Sequence, residues 1–163
     1  MPRVESKARV AVRIEEAFAL SQSQAEVRYA WDPFVREQRL LDGALYPAKG
    51  VRTFTRSRHR LRMTSQYTSF QPPKQVGMRM VEGPPFFATF GGGWSFTAVD
   101  ETTTDAVWRY TFSIRPAWLG WVANPIGSWF LGRDINRRVA AFSAACTNPE
   151  LVARAVAQQR AAQ

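Results

Sequence analysis

Cysteine is almost absent from this chain: Cys146 stands alone among 163 residues, so no internal disulfide can form and nothing points to an oxidising compartment. Its neighbours Ala144, Ala145 and Thr147 carry no charge that would activate a thiol, which makes it a small buried hydrophobe. Histidine is just as scarce. With His59 as the sole imidazole, a multi-histidine metal site is excluded, and its place between Arg58 and Arg60 in a predicted hairpin turn makes it a surface residue instead of a member of a Ser-His-Asp triad or Cys-His pair. The acidic residues form no paired motif on a helix and no metal-ligand spacing, so no metal and no cofactor is expected. A long apolar run is missing too. No uncharged stretch is longer than Pro116 to Gly132, which is shorter than the roughly 20 residues a spanning helix needs and is interrupted by Gly120, Pro125 and Gly127. The start, Met1 to Lys7, lacks the apolar centre of a signal peptide, so a cytoplasmic location is the expectation.

Acidic side chains are also in short supply, 13 against 22 basic ones, for a net charge of +9. Only Lys7, Lys49 and Lys74 are lysines; the rest of the positive charge is arginine. Such a balance raises nucleic acid or an anionic lipid surface as partners without selecting either.

What the chain has in quantity is apolar and aromatic residues, 45% and 13%, with six Trp and eleven Phe. That composition folds. A chain of this length fits one domain, 1–163, burying roughly two thirds of its unfolded surface. Its core is expected over about 8–146, with 147–163 a short C-terminal helix or tail.

Periodicity gives the elements. Val10, Val12 and Ile14 alternate within 8–18, which predicts a first strand with one buried face. Ser21 and Ser23 are candidate N-caps for a helix through Ala25, Val27 and Tyr29. Asp32-Pro33 predicts a second short helix toward Leu40. From Gly50 to Arg115 the pattern is a meander of strands with turns every 8 to 12 residues or so. Leu61, Met63 and Tyr67 share one face, as do Val76, Met78 and Met80. Glu82-Gly83-Pro84-Pro85 breaks the ladder, and a strand through Trp94, Phe96 and Ala98 follows. Gly91-Gly92-Gly93 within it marks a bulge, bend or close backbone approach; with a strand and no helix behind it, it is not a phosphate-binding loop. The cleanest alternation is Ala106, Trp108, Tyr110, Phe112 and Ile114. Asn124-Pro125 predicts the start of a long helix to about Ala145, whose apolar stripe is Leu131, Ile135, Val139, Phe142 and Cys146. Asn148-Pro149-Glu150 repeats the start signal for a last short helix.

This order of pieces resembles a known family. The residues that carry the likeness are the segment Ser21 to Pro33, the turn Phe70-Gln71-Pro72-Pro73, the turn Val81-Glu82-Gly83-Pro84 with Phe90 to Phe96 behind it, and the strand Trp108 to Pro116. Together they resemble the START/Bet v 1-like (SRPBCC) superfamily, in its polyketide cyclase/dehydrase and lipid transport branch, over about Arg9 to Cys146. The resemblance implies an α+β helix-grip fold: a seven-stranded curved antiparallel sheet wrapped around a long C-terminal helix, with two short helices after strand one. It also implies a cavity for lipids, sterols, polyketides, quinones or hormones. Only some members are enzymes, and no catalytic set transfers residue by residue.

Strand parity names the candidate ligand-binding residues. Met63, Met78 and Met80, Trp94, Phe96, Trp108 and Phe112 supply the apolar wall, with Leu131 and Ile135 from the helix. Ser65, Tyr67, Glu82 and Tyr110 share their parity and are the candidate polar handles. Glu82, if desolvated, would act as a general acid. Arg52, Arg56, Arg60, Arg62, Arg79 and Arg109 point outward. A further cluster, Ile126, Trp129 and Phe130 with Arg133 and Arg137, follows Trp118, Leu119 and Trp121. Burial under a lid, a partner surface and shallow membrane contact each account for it.

The function expected is therefore binding or transport of a hydrophobic small molecule (lipid, quinone or polyketide-like) by a monomer or homodimer, rather than catalysis. One alternative is a cyclase/dehydratase-type enzyme on an aromatic substrate, which a buried charge beside the ligand would favour. A second is a basic surface for RNA or protein docking, against which counts the lack of exposed aromatics beyond Phe54 and Phe70 on the arginine face.

Overall fold

Apolar residues repeating every second position from Thr104 to Ile114 bury Thr104, Ala106, Trp108, Tyr110 and Phe112 on one side, and the same period organises a whole sheet. In the computed structural model, which describes residues 1–163, the order is β1 (Arg3–Val10), α1 (Ile14–Ser21), α2 (Ala25–Trp31), β2 (Val35–Leu40), β3 (Arg52–Ser57) and β4 (Arg62–Gln71). It continues through β5 (Gln75–Glu82), β6 (Phe87–Ala98), β7 (Thr104–Ile114), a 3-10 turn at Ala117–Leu119, α3 (Gly120–Cys146) and α4 (Pro149–Ala161).

All seven strands pair antiparallel in the order β1-β7-β6-β5-β4-β3-β2. The strands consecutive in sequence at its start, β1 and β2, thus lie at opposite edges, and α1 and α2 bridge them. That link requires the sheet to curl. Glycine permits it at the middle: a Cβ on Gly92 would run into the Arg109 carbonyl, and one on Gly93 into the Val76 carbonyl.

α3 lies inside the curl against β1 and β7. Its stripe of Ile135, Val139 and Phe142 is buried. The Phe142 ring sits 4.7 Å from Trp94 and 5.5 Å from Trp31, while Trp94 stacks on its cross-strand partner Trp108 at 4.4 Å. α4 covers α1, and Leu151, Val152 and Ala155 join the same core, which therefore extends past Cys146. Asn148 caps α4 by accepting from the Leu151 N–H at 3.3 Å.

Four sequence expectations need correction. The first strand is β1, Arg3–Val10, and Ile14–Ser21 is helix. The alternation Val10, Val12, Ile14 runs through a bend, after which Glu15, Glu16 and Ala17 favour helix and the Glu16 carboxylate accepts from the Arg13 N–H. Ser21 and Ser23 do not cap the next helix; their hydroxyls donate to Phe18 and Leu20 carbonyls at the end of α1. The N-terminus of α2 is closed from across the fold, by Gln158 of α4 accepting from the Gln24 N–H at 3.0 Å.

Asp32-Pro33 opens no helix. Val35–Leu40 is the edge strand β2, because pairing with β3 and burial of Val35 override a segment of ordinary helix formers. The long helix begins at Gly120, earlier than Asn124-Pro125 suggests, and holds Pro125 in its second turn. The N–H that Pro125 lacks leaves only the carbonyl of exposed Trp121 without a helical partner, and water can serve it there.

Phe142 touches both the sheet aromatics and Trp31, so replacing it removes contacts that hold helix to sheet. Phe142→Ala is expected to destabilise the fold by about 3–5 kcal/mol, read from urea unfolding followed by tryptophan fluorescence.

Candidate ligand-binding cavity

Between the inner face of the sheet and α3 lies a cavity of about 790 Å³, within the range of roughly 300–1,000 Å³ typical of small-molecule sites. Methionine and aromatic side chains from β4, β5 and β6 wall it on one side, and Leu131 with Phe130 on the other. Unbranched thioethers adapt to ligands of different shape.

Of the residues selected by parity, Met63, Ser65, Tyr67, Met78 and Met80 line this cavity, and so do Trp94, Trp108, Tyr110 and Leu131. Four do not. Phe96, Phe112 and Ile135 are buried where α3 presses onto the sheet. Phe96 stacks on Trp94 at 5.5 Å, and Phe112 lies under Gly127. Their faces were correctly assigned, but they fill solid core.

Glu82 is exposed and away from the cavity. The register explains why: Ser65 pairs with Met80 and Thr64 with Glu82, so Val81 is an extra residue and the parity slips by one. A bulge at a strand end leaves no mark in a pattern of alternating residues.

The polar residues that the sequence reading missed form the closed end. Arg28 of α2 and Arg138 of α3 both line the cavity, and both are buried. Asp32, fully buried, lies behind them and does not reach it. Arg138 grips that carboxylate with two donors, Nε at 3.1 Å and Nη2 at 2.7 Å, while Arg28 Nη2 stands 2.9 Å from it. Arg138 also donates through Nη1 to the Tyr110 hydroxyl, and Arg28 through Nη1 to the Ser21 carbonyl. Aromatic faces complete the cage. The Arg138 guanidinium is 4.1 Å from the Trp108 ring centre and 4.7 Å from Phe34, and that of Arg28 is 4.5 Å from Trp31.

Burial sets the electrostatics of this end. It lowers the Arg28 guanidinium from its ordinary value against the pull of Asp32. Burial alone would raise Asp32, but the fields of Arg138 and Arg28 and the Arg138 hydrogen bond outweigh it and hold the carboxyl below its usual range. Both arginines stay cationic at neutral pH. Desolvation pushes the Tyr67 hydroxyl up to about 12 and raises Tyr110 as well, so both remain protonated. Asp134, one helical turn before Arg138, also lines the cavity; desolvation raises its carboxyl. Cys146 is buried in the core, its thiol pushed up to about 12 by desolvation.

Arg28 and Arg138 were invisible to parity arguments because they sit on helices and their role needs Asp32 between them. The one signal available was an i, i+4 pair, Arg28 and Asp32, bracketing Trp31. No group of three or more His, Cys, Asp or Glu converges on a potential metal position.

The open end is rimmed by exposed groups, among them Leu61, Phe86, Ile126, Phe130 and Arg133. Beyond it stand Trp118, Trp121 and Trp129, between 61% and 81% exposed, so no lid covers them. On the outer sheet face Arg52 pairs with Asp42 and Arg109 with Glu5, each at 2.6 Å, and Arg56 lies 3.6 Å from Glu37. The Arg109, Arg3 and Lys7 contacts lower Glu5 to about 2. Ion pairs thus hold Arg52, Arg56 and Arg109, while Arg60, Arg62 and Arg79 enter none.

The sequence model of a family described as polyketide cyclase/dehydrase and lipid transport matches residues 1–147. No curated protein sequence matches the chain. Among solved structures, a START superfamily protein from Mycobacterium smegmatis superposes with a TM-score of 0.74 at 13% identity, over 90% of this chain and 98% of that one. The Zhui aromatase/cyclase from Streptomyces sp. R1128 gives 0.67 at 20% identity, over 98% and 96%. Norcoclaurine synthase from Thalictrum flavum, in complex with dopamine and hydroxybenzaldehyde, gives 0.65 at 8% identity, over 90% and 87%. At these identities the likeness is one of fold.

Removing the carboxylate that separates two buried cations leaves both uncompensated. Asp32→Asn is expected to cost about 3–5 kcal/mol at pH 7. Because the folded carboxyl lies below its unfolded value, that contribution is full above the unfolded value and is lost as pH falls through the folded one. Denaturant midpoints of the two proteins should therefore converge as the pH drops below about 4.

Proposed function

The chain belongs to the polyketide cyclase/dehydrase and lipid transport family, and from that premise we propose that it binds a hydrophobic small molecule between sheet and α3 and carries it rather than transforms it. The observation that supports this reading is the cavity itself, open at one end and walled by Met63, Met78, Met80, Phe90 and Leu131. Enclosing apolar surface there contributes about 25 cal/mol per Å² removed from water.

A second reading, a cyclase or dehydratase acting on an aromatic or polyketide-like substrate, is favoured by one feature: Asp134, a carboxyl with a raised pKa, lines the same cavity as Arg138 and the Tyr110 hydroxyl. Desolvation favours the protonated form of that carboxyl, the form a general acid needs. The carrier reading ranks first because the wall between the closed end and the mouth is apolar, with Met78, Met80, Phe90 and Leu131 along it.

The ligand enters from an anionic bilayer. No acidic residue occurs between Asp105 and Asp134, whereas Arg115, Arg133 and Arg137 are exposed there beside Trp118, Trp121, Trp129 and Phe130. Ile126, Phe130, Arg133 and Arg137 of this surface also line the cavity mouth. Aromatic rings sit well at headgroup depth, and each nearby basic residue adds about 1 kcal/mol of attraction to anionic lipid. No helix is long and apolar enough to cross the membrane, so the contact is peripheral.

Native mass spectrometry of the purified protein is expected to show a co-purified apolar molecule at one per chain, recovered unchanged after release and re-incubation. Conversion with loss of water would move the assignment to the second reading, and an empty protein that takes up nothing from a hydrophobic library would remove both. In flotation assays the protein should rise with vesicles containing phosphatidylglycerol and stay behind with pure phosphatidylcholine. The double variant Trp118→Ser, Trp129→Ser should lose at least tenfold in partitioning while keeping its thermal midpoint; equal partitioning would refute the docking surface.

A further inference from the structure

We propose that the closed end of the cavity is an acid-recognition site, and that the molecule carried is a hydrophobic mono-acid whose carboxylate is met by Arg28 and Arg138. The inference rests on the ligand-binding reading above and names the chemical class of its ligand.

Three observations carry it. The first is an imbalance of charge. Two guanidiniums line the end of the cavity, and the carboxylate that serves them both, Asp32, lies behind and does not reach it. A buried cation without its own counter-ion is costly. The cavity is the side from which a second anion can come, and a single negative charge would bring this end to neutrality.

The second is an imbalance of donors. Each guanidinium has five N–H groups, yet Arg28 hydrogen-bonds only through Nη1 to the Ser21 carbonyl; its Nη2 forms an ion pair with Asp32 at 2.9 Å, and its buried Nε has no partner. Arg138 bonds once through each of its nitrogens, which leaves one hydrogen on each terminal nitrogen unassigned.

The third is the company these cations keep. The Tyr110 oxygen already accepts from Arg138, so its own proton is left to donate, and burial keeps that proton on. Cations and a neutral O–H donor together suit a carboxylate. An ammonium would meet like charge, and an ester or alcohol would leave the excess charge unmet. The remaining carboxyl on the lining, Asp134, feels Arg138, Asp32, Arg137 and His59, and desolvation already favours its protonated form. A ligand carboxylate at Arg138 would favour that form further.

From this end the wall toward the mouth is apolar, with Met78, Met80, Phe90 and Leu131 along it. The ligand therefore lies with its acid inward and its apolar body toward the membrane-facing rim. It leaves a bilayer head first, and the buried arginines repay the dehydration of its carboxylate.

The test compares acids with their own esters. Hexadecanoic acid and 1-pyrenebutanoic acid, each beside its methyl ester, are titrated into the intact chain at pH 7.5, with native mass spectrometry and displacement of the neutral dye Nile red as readouts. Each acid should bind at least tenfold more tightly than its ester. Arg28→Met, whose Asp32 keeps the bidentate Arg138, should lose that preference and bind the esters as the parent does, and Arg28→Lys should recover part of it. Thermal midpoints show that each variant is folded. Acids and esters binding equally to the parent protein would overturn the proposal and leave the cavity reading standing. Binding of neither, with the protein folded, would overturn both.

Discussion

Asp32 is the carboxylate on which four elements converge. It ends α2, its Oδ1 accepts from the Phe34 N–H at the start of β2, and it takes the guanidinium of Arg138 from α3, which in turn holds Tyr110 of β7. An ion of this kind cannot sit in a core alone, because dehydrating it costs several kcal/mol that only close, well-oriented partners recover. The positions of both arginines follow from that requirement. Their aromatic neighbours Trp31, Trp108 and Phe34 follow in turn, since flat π-faces are the apolar surfaces that tolerate a guanidinium best. The arrangement locks the helices to the sheet at one end and sets two cations facing the void at the same time.

The interior is full on one side of that ion cluster and hollow on the other. Phe18, Phe96, Trp94 and Phe142 pack edge to face, stacked or tilted where α1 and α3 meet the sheet. Toward the N-terminal half of α3 the walls pass to methionines, and the facing helix turns Trp121 and Trp129 away from the cavity and sets Phe130 at its mouth. A core closed by large rings at one end and lined by flexible thioethers at the other can hold its fold while leaving room for a guest. Polar groups at the blind end and aromatic groups at the open end give the space a direction.

Much of this was legible in residue order. The alternation through Trp108, Tyr110 and Phe112 set the face of β7, and the stripe Ile135, Val139, Phe142 set the buried face of α3, because each depends only on the local period of its element. Nine of the parity-selected residues reach the cavity. The misses share a cause. Glu82 was turned outward by one extra residue, Val81, in the pairing with β4, and Phe96, Phe112 and Ile135 were covered by the particular place where α3 rests. Register and docking position are properties of two elements together, and neither element's own sequence contains them.

The amino-acid order by itself determined that the chain has one oily and one wet sheet face, that glycines sit where the sheet curls, that a long amphipathic helix follows the last strand, and that the arrangement resembles a ligand-holding architecture. Periodicity and backbone sterics act over a few neighbouring residues, so they can be read in one dimension. Only the tertiary structure decided that Asp32 would be a buried counter-ion instead of a helix cap, that Gln158 would close a helix 134 residues away, and that Arg28 and Arg138 would share one carboxylate beneath an apolar void. Low dielectric makes such charges matter, and whether a side chain lies in it depends on every element packed around it.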